Sequence, residues 1–128
     1  TWYGIFDFTQ MPMRESERSY LGCNDAPCTP EQQRRASALT YLGPASPPML
    51  MITGSADRLV PPEQSVNFHA AMKAHGLNSE LMIIPGVDHS FIGTTPLATR
   101  EASRAALART VDFIDQIIGD NSTQATHR

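Results

Sequence analysis

Met49-Leu50-Met51-Ile52-Thr53-Gly54-Ser55-Ala56-Asp57-Arg58-Leu59-Val60-Pro61 and, further on, Glu80-Leu81-Met82-Ile83-Ile84-Pro85-Gly86-Val87-Asp88-His89-Ser90-Phe91 are the two stretches whose reading decides the fold. Each opens on a short unbroken apolar run and ends in a loop rich in Gly, Pro and Asp. A continuous run of that length, without polar alternation, predicts a parallel strand covered on both faces. Between them, Pro62–His75 reads as a helix. Pro62 suits its first turn, Phe68, Ala71 and Met72 share a face, and Gly76 supplies the stop. The unit is therefore strand, crossover helix, parallel strand.

Working outward, residues 85–95 form a loop and Pro96–Ile118 a long amphipathic helix. Thr95 is its N-cap candidate, Leu107, Val111, Ile114 and Ile118 lie along one stripe, and Gly119 stands just past its end. Residues 120–128 are expected to fray as a tail. Upstream, Gly43-Pro44-Ala45-Ser46-Pro47-Pro48 is a linker, since proline lacks the N–H that a strand ladder needs. Residues 9–47 are a polar, turn-rich insert, with short helices expected near Pro12–Tyr20 and over Pro30–Ser37. The second has Thr29 as N-cap and Pro30 in the first helical position. Residues 1–8, beginning Thr1-Trp2-Tyr3-Gly4-Ile5-Phe6-Asp7-Phe8, read as an aromatic core strand. Three strands make a poor free-standing parallel sheet, whose open apolar edge needs a partner. So abrupt an opening on a core strand leads us to expect polypeptide upstream.

The composition narrows the function classes. Of 128 residues, 41% are hydrophobic and 18% charged, which is the balance of a folded globular chain. The net charge of -3 and the lack of any Lys/Arg cluster argue against nucleic acid or an anionic membrane as partner. No apolar run approaches the roughly 18 residues that span a bilayer. Cys23 and Cys28 are the two cysteines. Structural zinc wants four ligands, and no His stands near them, so no metal site is expected. Either the pair closes a small disulfide loop, which implies an oxidising and thus secreted or periplasmic setting, or it stands as two thiols in a cytoplasmic protein. Asn24-Asp25 and Pro27 suit a tight exposed loop.

In open α/β sheets the reactive groups gather at the carboxyl ends of the strands. Asp57 follows the first strand and His89 the second, so one crossover brings a carboxylate and an imidazole side by side. That is what a Ser-His-Asp triad requires, in the order acid then base. Asp88 competes as the acid, but adjacent backbone positions point their side chains apart, so it is read as solvated. Ser55 and Ser90 lie near these residues, yet neither occupies a strand-to-helix elbow, so neither is read as a nucleophile. His69, His75 and His127 read as surface residues, and Asp7 as a carboxylate that caps the chain or supports a neighbouring group rather than a catalytic one.

Pro48 through Ser65 resembles the acid-bearing segment of esterase, lipase and prolyl-oligopeptidase-like α/β-hydrolases, which runs roughly P-x-L-x-I-H-G-x-x-D-x-x-V-P-x-x-Q-S. Glu80 through Phe91 is similar to their E-L-x-x-x-P-G-x-x-H-G-F. Trp2-Tyr3-Gly4-Ile5-Phe6-Asp7-Phe8 and Ala36-Ser37-Ala38-Leu39-Thr40-Tyr41 resemble two further segments in the same order. Thr53 replaces a usual His, and Ser90 a usual Gly. The G-x-S-x-G elbow and the H-G-G oxyanion loop, which lie upstream in those families, do not occur here. The resemblance implies the C-terminal portion of one α/β-hydrolase domain over 1–128: the insert at 9–47, the acid and His segments at 48–119, the tail at 120–128. It implies a serine-dependent hydrolase of a small carboxylic ester, with Asp57 as acid, His89 as base and the nucleophile in an N-terminal half outside this chain. Val60 and Phe91 would line the substrate pocket, no metal or organic cofactor is implied, and the chain alone would be inactive. A prolyl-oligopeptidase-like peptidase, or a non-catalytic binding module of the same fold, is the alternative.

Overall fold

The computed structural model describes residues 1–125, and the side chains of residues 1–119. Strands β1 (Met49–Gly54) and β2 (Ser79–Ile84) pair in parallel, in register from Met49 with Ser79 to Gly54 with Ile84. The crossover between them is helix α3 (Glu63–Ala74), which Gly76 follows with φ of 68°. The insert folds as α1 (Glu15–Leu21) and α2 (Pro30–Ala36), and the last helix is α4 (Pro96–Ala125). The result is a mixed α/β architecture built on parallel strands.

The apolar run of β1 is buried on both faces because its alternate residues feed two separate cores. Leu50 and Ile52 pack with Ile84, Val87, Phe91, Ala102 and Ala106 on the α4 side. Met51 packs with Phe6, Phe68 and Met72 on the α3 side, where the Phe6 and Phe68 rings stack with centroids 4.3 Å apart. Burying side chains of this size contributes about 1.5–3 kcal/mol each. Gln64, at the start of α3, ties the N-terminal segment down. Its Oε1 accepts from the Phe6 and Asp7 amides at 3.0 and 2.8 Å, and its Nε2 donates to Asp7 O at 2.9 Å.

The insert is held by its own chemistry. Gly22, at φ 71°, ends α1. Cys23 and Cys28 are joined as a disulfide across the connection, with their Cα atoms 5.2 Å apart. Thr29 then caps α2 by accepting from the Gln32 amide, while Gln32 Oε1 accepts from the Thr29 amide.

Two expectations from sequence are corrected, the strand at residues 1–8 and the end of α4. Residues 1–8 do not form a strand. Thr1 and Trp2 lie along β1, with Trp2 bridged to Ile52 and the Tyr3 amide donating to Ile52 O at 2.7 Å. Tyr3 then takes φ 38° and turns the chain off the sheet toward the α3 core. In α4 the buried contacts come from Ala102, Ala106 and the partly buried Phe113. Leu107, Val111, Ile114 and Ile118 are 48–62% exposed, so the apolar stripe faces outward. Finally, α4 does not stop at Gly119 but continues to Ala125. A helical glycine costs about 1 kcal/mol and does not by itself end the ladder when no proline follows. The remainder of the expected tail, residues 126–128 with His127, lies outside the described residues. Among the described residues, no helix is long and apolar enough to cross a membrane.

Candidate active site

Two loops leave the same end of the sheet, because β1 and β2 are parallel. Their bases are laced together: Ser55 N donates to Ile84 O at 2.9 Å, Ala56 N to Val87 O at 3.0 Å, and Gly86 N to Ser55 Oγ at 2.9 Å. This approach needs Gly54, since a Cβ there would lie 2.2 Å from Val87 O. Ser55 is thereby occupied as a rung between the loops.

Asp57 sits at the turn of the first loop with its side chain wholly buried. Oδ1 accepts from the amides of Leu59 and Val60, both at 2.9 Å, which folds the loop around the carboxylate. Oδ2 faces the second loop, 2.9 Å from His89 Nδ1. The carboxylate is thus oriented by two backbone donors and presents its remaining oxygen to the imidazole. His89 is one-quarter exposed and lines two open clefts, each of about 440 Å³. One is bordered by Leu59, Ser90 and Ile92, the other by Tyr3, Arg14, Ser16 and Val60.

The remaining sequence candidates are placed as follows. Val60 is mostly buried yet borders the second cleft. Phe91 does not reach a cleft: it is 1% exposed, in the core, with Trp2 and Tyr3 edge-on at 5.4 and 5.0 Å. Ser90 and Phe91 both take positive φ, 59° and 58°, and this reversal turns Phe91 inward and leaves Ile92 at the surface. Asp88 is not simply solvated. It pairs with Arg58, and its pKa is lowered from 3.8 to about 2, chiefly by accepting from the Arg58 amide, then from the His89 amide, then from the Arg58 side chain. His75 is exposed, whereas His69 is half-buried and shares a hydrogen bond with Ser79 at 3.0 Å. Asp7 accepts from the amide and hydroxyl of Thr9.

Tyr3 joins the site as well, its ring centroid 4.6 Å from that of His89. Its signal was present only as an aromatic in the opening segment; nothing local tied it to a residue 86 positions away. Thr53 Oγ1 is buried and has no hydrogen-bond partner among the described residues.

Residues 1–121 match the prolyl oligopeptidase family. The chain belongs to that family, within the α/β-hydrolase superfamily. Among solved structures it is similar to a truncated form of a carbohydrate esterase from gut microbiota, at 26% identity and TM-score 0.63, over 80% of this chain and 39% of that one. It is also similar to an acetyl ester-xyloside bifunctional hydrolase from Caldicellulosiruptor lactoaceticus, at 24% identity and TM-score 0.72, over 92% of this chain and 41% of that one. A curated relative, the non-reducing polyketide synthase ausA of Penicillium brasilianum, is 32% identical over 79 residues, 62% of this chain and 3% of that protein. The chain therefore spans about two-fifths of these two solved structures and a small part of the synthase.

Proposed function

We propose that this member of the prolyl oligopeptidase family supplies the acid, Asp57, and the base, His89, of a Ser-His-Asp hydrolase of carboxylic esters. The nucleophilic serine and the oxyanion donors would come from an upstream half. The observation that carries the reading is the 2.9 Å contact between Asp57 Oδ2 and His89 Nδ1 at the rim of two adjoining clefts. In this mechanism Asp57 holds the imidazole with its proton on Nδ1, leaving Nε2 free to take the serine proton as the serine attacks the ester carbonyl. The imidazolium so formed is stabilised by the buried carboxylate, then returns the proton to the leaving alcohol. A second pass with water releases the acid.

An upstream partner is supported by three features: the absence of G-x-S-x-G from the sequence, the two-fifths coverage of the solved structures, and the outward stripe of α4. An ester substrate is supported by the likeness to a carbohydrate esterase. The Cys23–Cys28 disulfide supports an oxidising, secreted or periplasmic, location. The family's name keeps peptide amides as the second reading.

The test is a longer polypeptide carrying the upstream half, assayed on p-nitrophenyl acetate beside a dipeptidyl p-nitroanilide. Ester turnover is expected, falling about 10⁶-fold in His89→Ala and about 10⁴-fold in Asp57→Asn. Preference for the anilide would favour the peptidase, and turnover of neither a non-catalytic module.

A further inference from the structure

The Asp57–His89 contact joins two loops, and the bonds lacing those loops lie at their bases, below the reacting groups. A further cross-link stands level with the pair itself. Asp88 immediately precedes His89, and its Oδ1 reaches the amide of the residue that immediately follows Asp57: it accepts from Arg58 N at 3.0 Å and from His89 N at 2.8 Å. Oδ2 accepts from Arg58 Nε at 2.7 Å. The Asp88 amide donates back within its own loop, to Ile92 O at 2.7 Å. On its far side, residue 58 is gripped again. The guanidinium of Arg14, from the insert, donates to Arg58 O at 3.1 Å and to Leu59 O at 2.8 Å.

From this geometry we infer that Asp88 is a positioning residue, latching the acid loop to the histidine loop so that Asp57 and His89 stay in register. The inference rests on the triad reading above. Asp88 itself does not serve as the acid, because both of its oxygens are taken by Arg58 and the His89 amide. The two halves of the latch differ in strength. The Arg58 side chain is 87% exposed, so its ion pair is screened and contributes little. The bonds from two backbone amides to one oxygen are charge-assisted, and the one from Arg58 N crosses directly between the loops while the one from His89 N fixes the oxygen within its own. The bridging oxygen, more than the charge, is what sets the spacing.

The test is the protonation pattern of the His89 ring in the full 128-residue chain, read by long-range proton–nitrogen correlation NMR at a pH where the imidazole is neutral. Which ring nitrogen carries the proton is set by the bond that the other makes, and the Asp57 contact favours Nδ1–H. Wild-type protein is expected to hold the Nδ1–H form as the majority. Asp88→Ala should reduce that form to a minority while the amide spectrum remains that of a folded chain. Asp88→Ser should do the same: its short hydroxyl caps the His89 amide but does not span to Arg58 N, so it separates the latch from a local cap if the alanine variant does not fold. Asp88→Asn and Arg58→Gln retain the bridging oxygen and should keep Nδ1–H as the majority. An unchanged Nδ1–H majority in Asp88→Ala or Asp88→Ser overturns the latch and leaves the triad reading standing. A wild-type ring protonated mainly on Nε2 overturns the Asp57–His89 pairing first, and the latch with it.

Discussion

Ser90 holds φ 59° and ψ 23° directly after the histidine, a left-handed conformation that a side chain makes costly. The position is one where similar hydrolases carry glycine, and the structure supplies the physical reason: the chain must reverse there to send Phe91 into the core. Ser90→Gly is therefore expected to stabilise the fold by up to about 1 kcal/mol, the relief of left-handed strain less the added freedom of the unfolded chain. Urea unfolding of the two proteins measures it; a loss of stability would show that the serine hydroxyl makes a compensating contact. Asp57 and His89 were legible as candidates because residue type and strand end could both be read locally. The Arg58 partner of Asp88 was not legible because it lies 30 residues away, and sequence spacing alone does not bring the two together. Tyr3 is hidden for the same reason, since nothing local ties it to His89.

At the level of elements, β1, α3 and β2 were readable because unbroken apolar runs, a proline start and a glycine stop mark them, but only β1 is covered on both faces as expected; in β2 Ile83 is 42% exposed. The opening segment was not. An aromatic run of this kind ordinarily favours a strand, and nothing in its composition marks Tyr3 as a residue of positive φ. The link between the two reactive loops has a consequence for acid stability. Asp88 is held near pKa 2 in the folded chain against 3.8 ordinarily, so its carboxylate is favoured by folding. A depressed acid contributes stability that is fully present above about pH 4 and is lost as the pH falls through about 2. Unfolding free energies measured between pH 5 and pH 2 should thus show wild type exceeding Asp88→Asn at the upper end, with the gap closing toward pH 2. A gap that stays constant over that range would mean that the Asp88 charge is not involved.

At the scale of the whole molecule, among the described residues the outer face of α4 presents a row of exposed apolar side chains. Its apolar period was legible; which side of the helix is buried was not, because small Ala102 and Ala106 let the helix approach the sheet closely and leave the larger residues outside. If that face receives the upstream half, Val111→Glu with Ile114→Glu should change the stability of the chain alone by no more than about 0.5 kcal/mol each. The same pair should weaken its association with that half by about 100-fold, the loss of burial of two aliphatic side chains. Size-exclusion titration of the two halves reads the second effect, and undiminished association would place the interface elsewhere.

The central claim is that the acid and base are here and the nucleophile is not. Labelling with a fluorophosphonate probe, with the adduct located by peptide mass spectrometry, tests it most directly. The 128-residue chain alone is expected to take up no probe. Joined to its upstream half, the protein should take up one equivalent on a serine of that half, and His89→Ala should abolish the labelling. Stoichiometric labelling of Ser55 or Ser90 in the isolated chain would contradict the account.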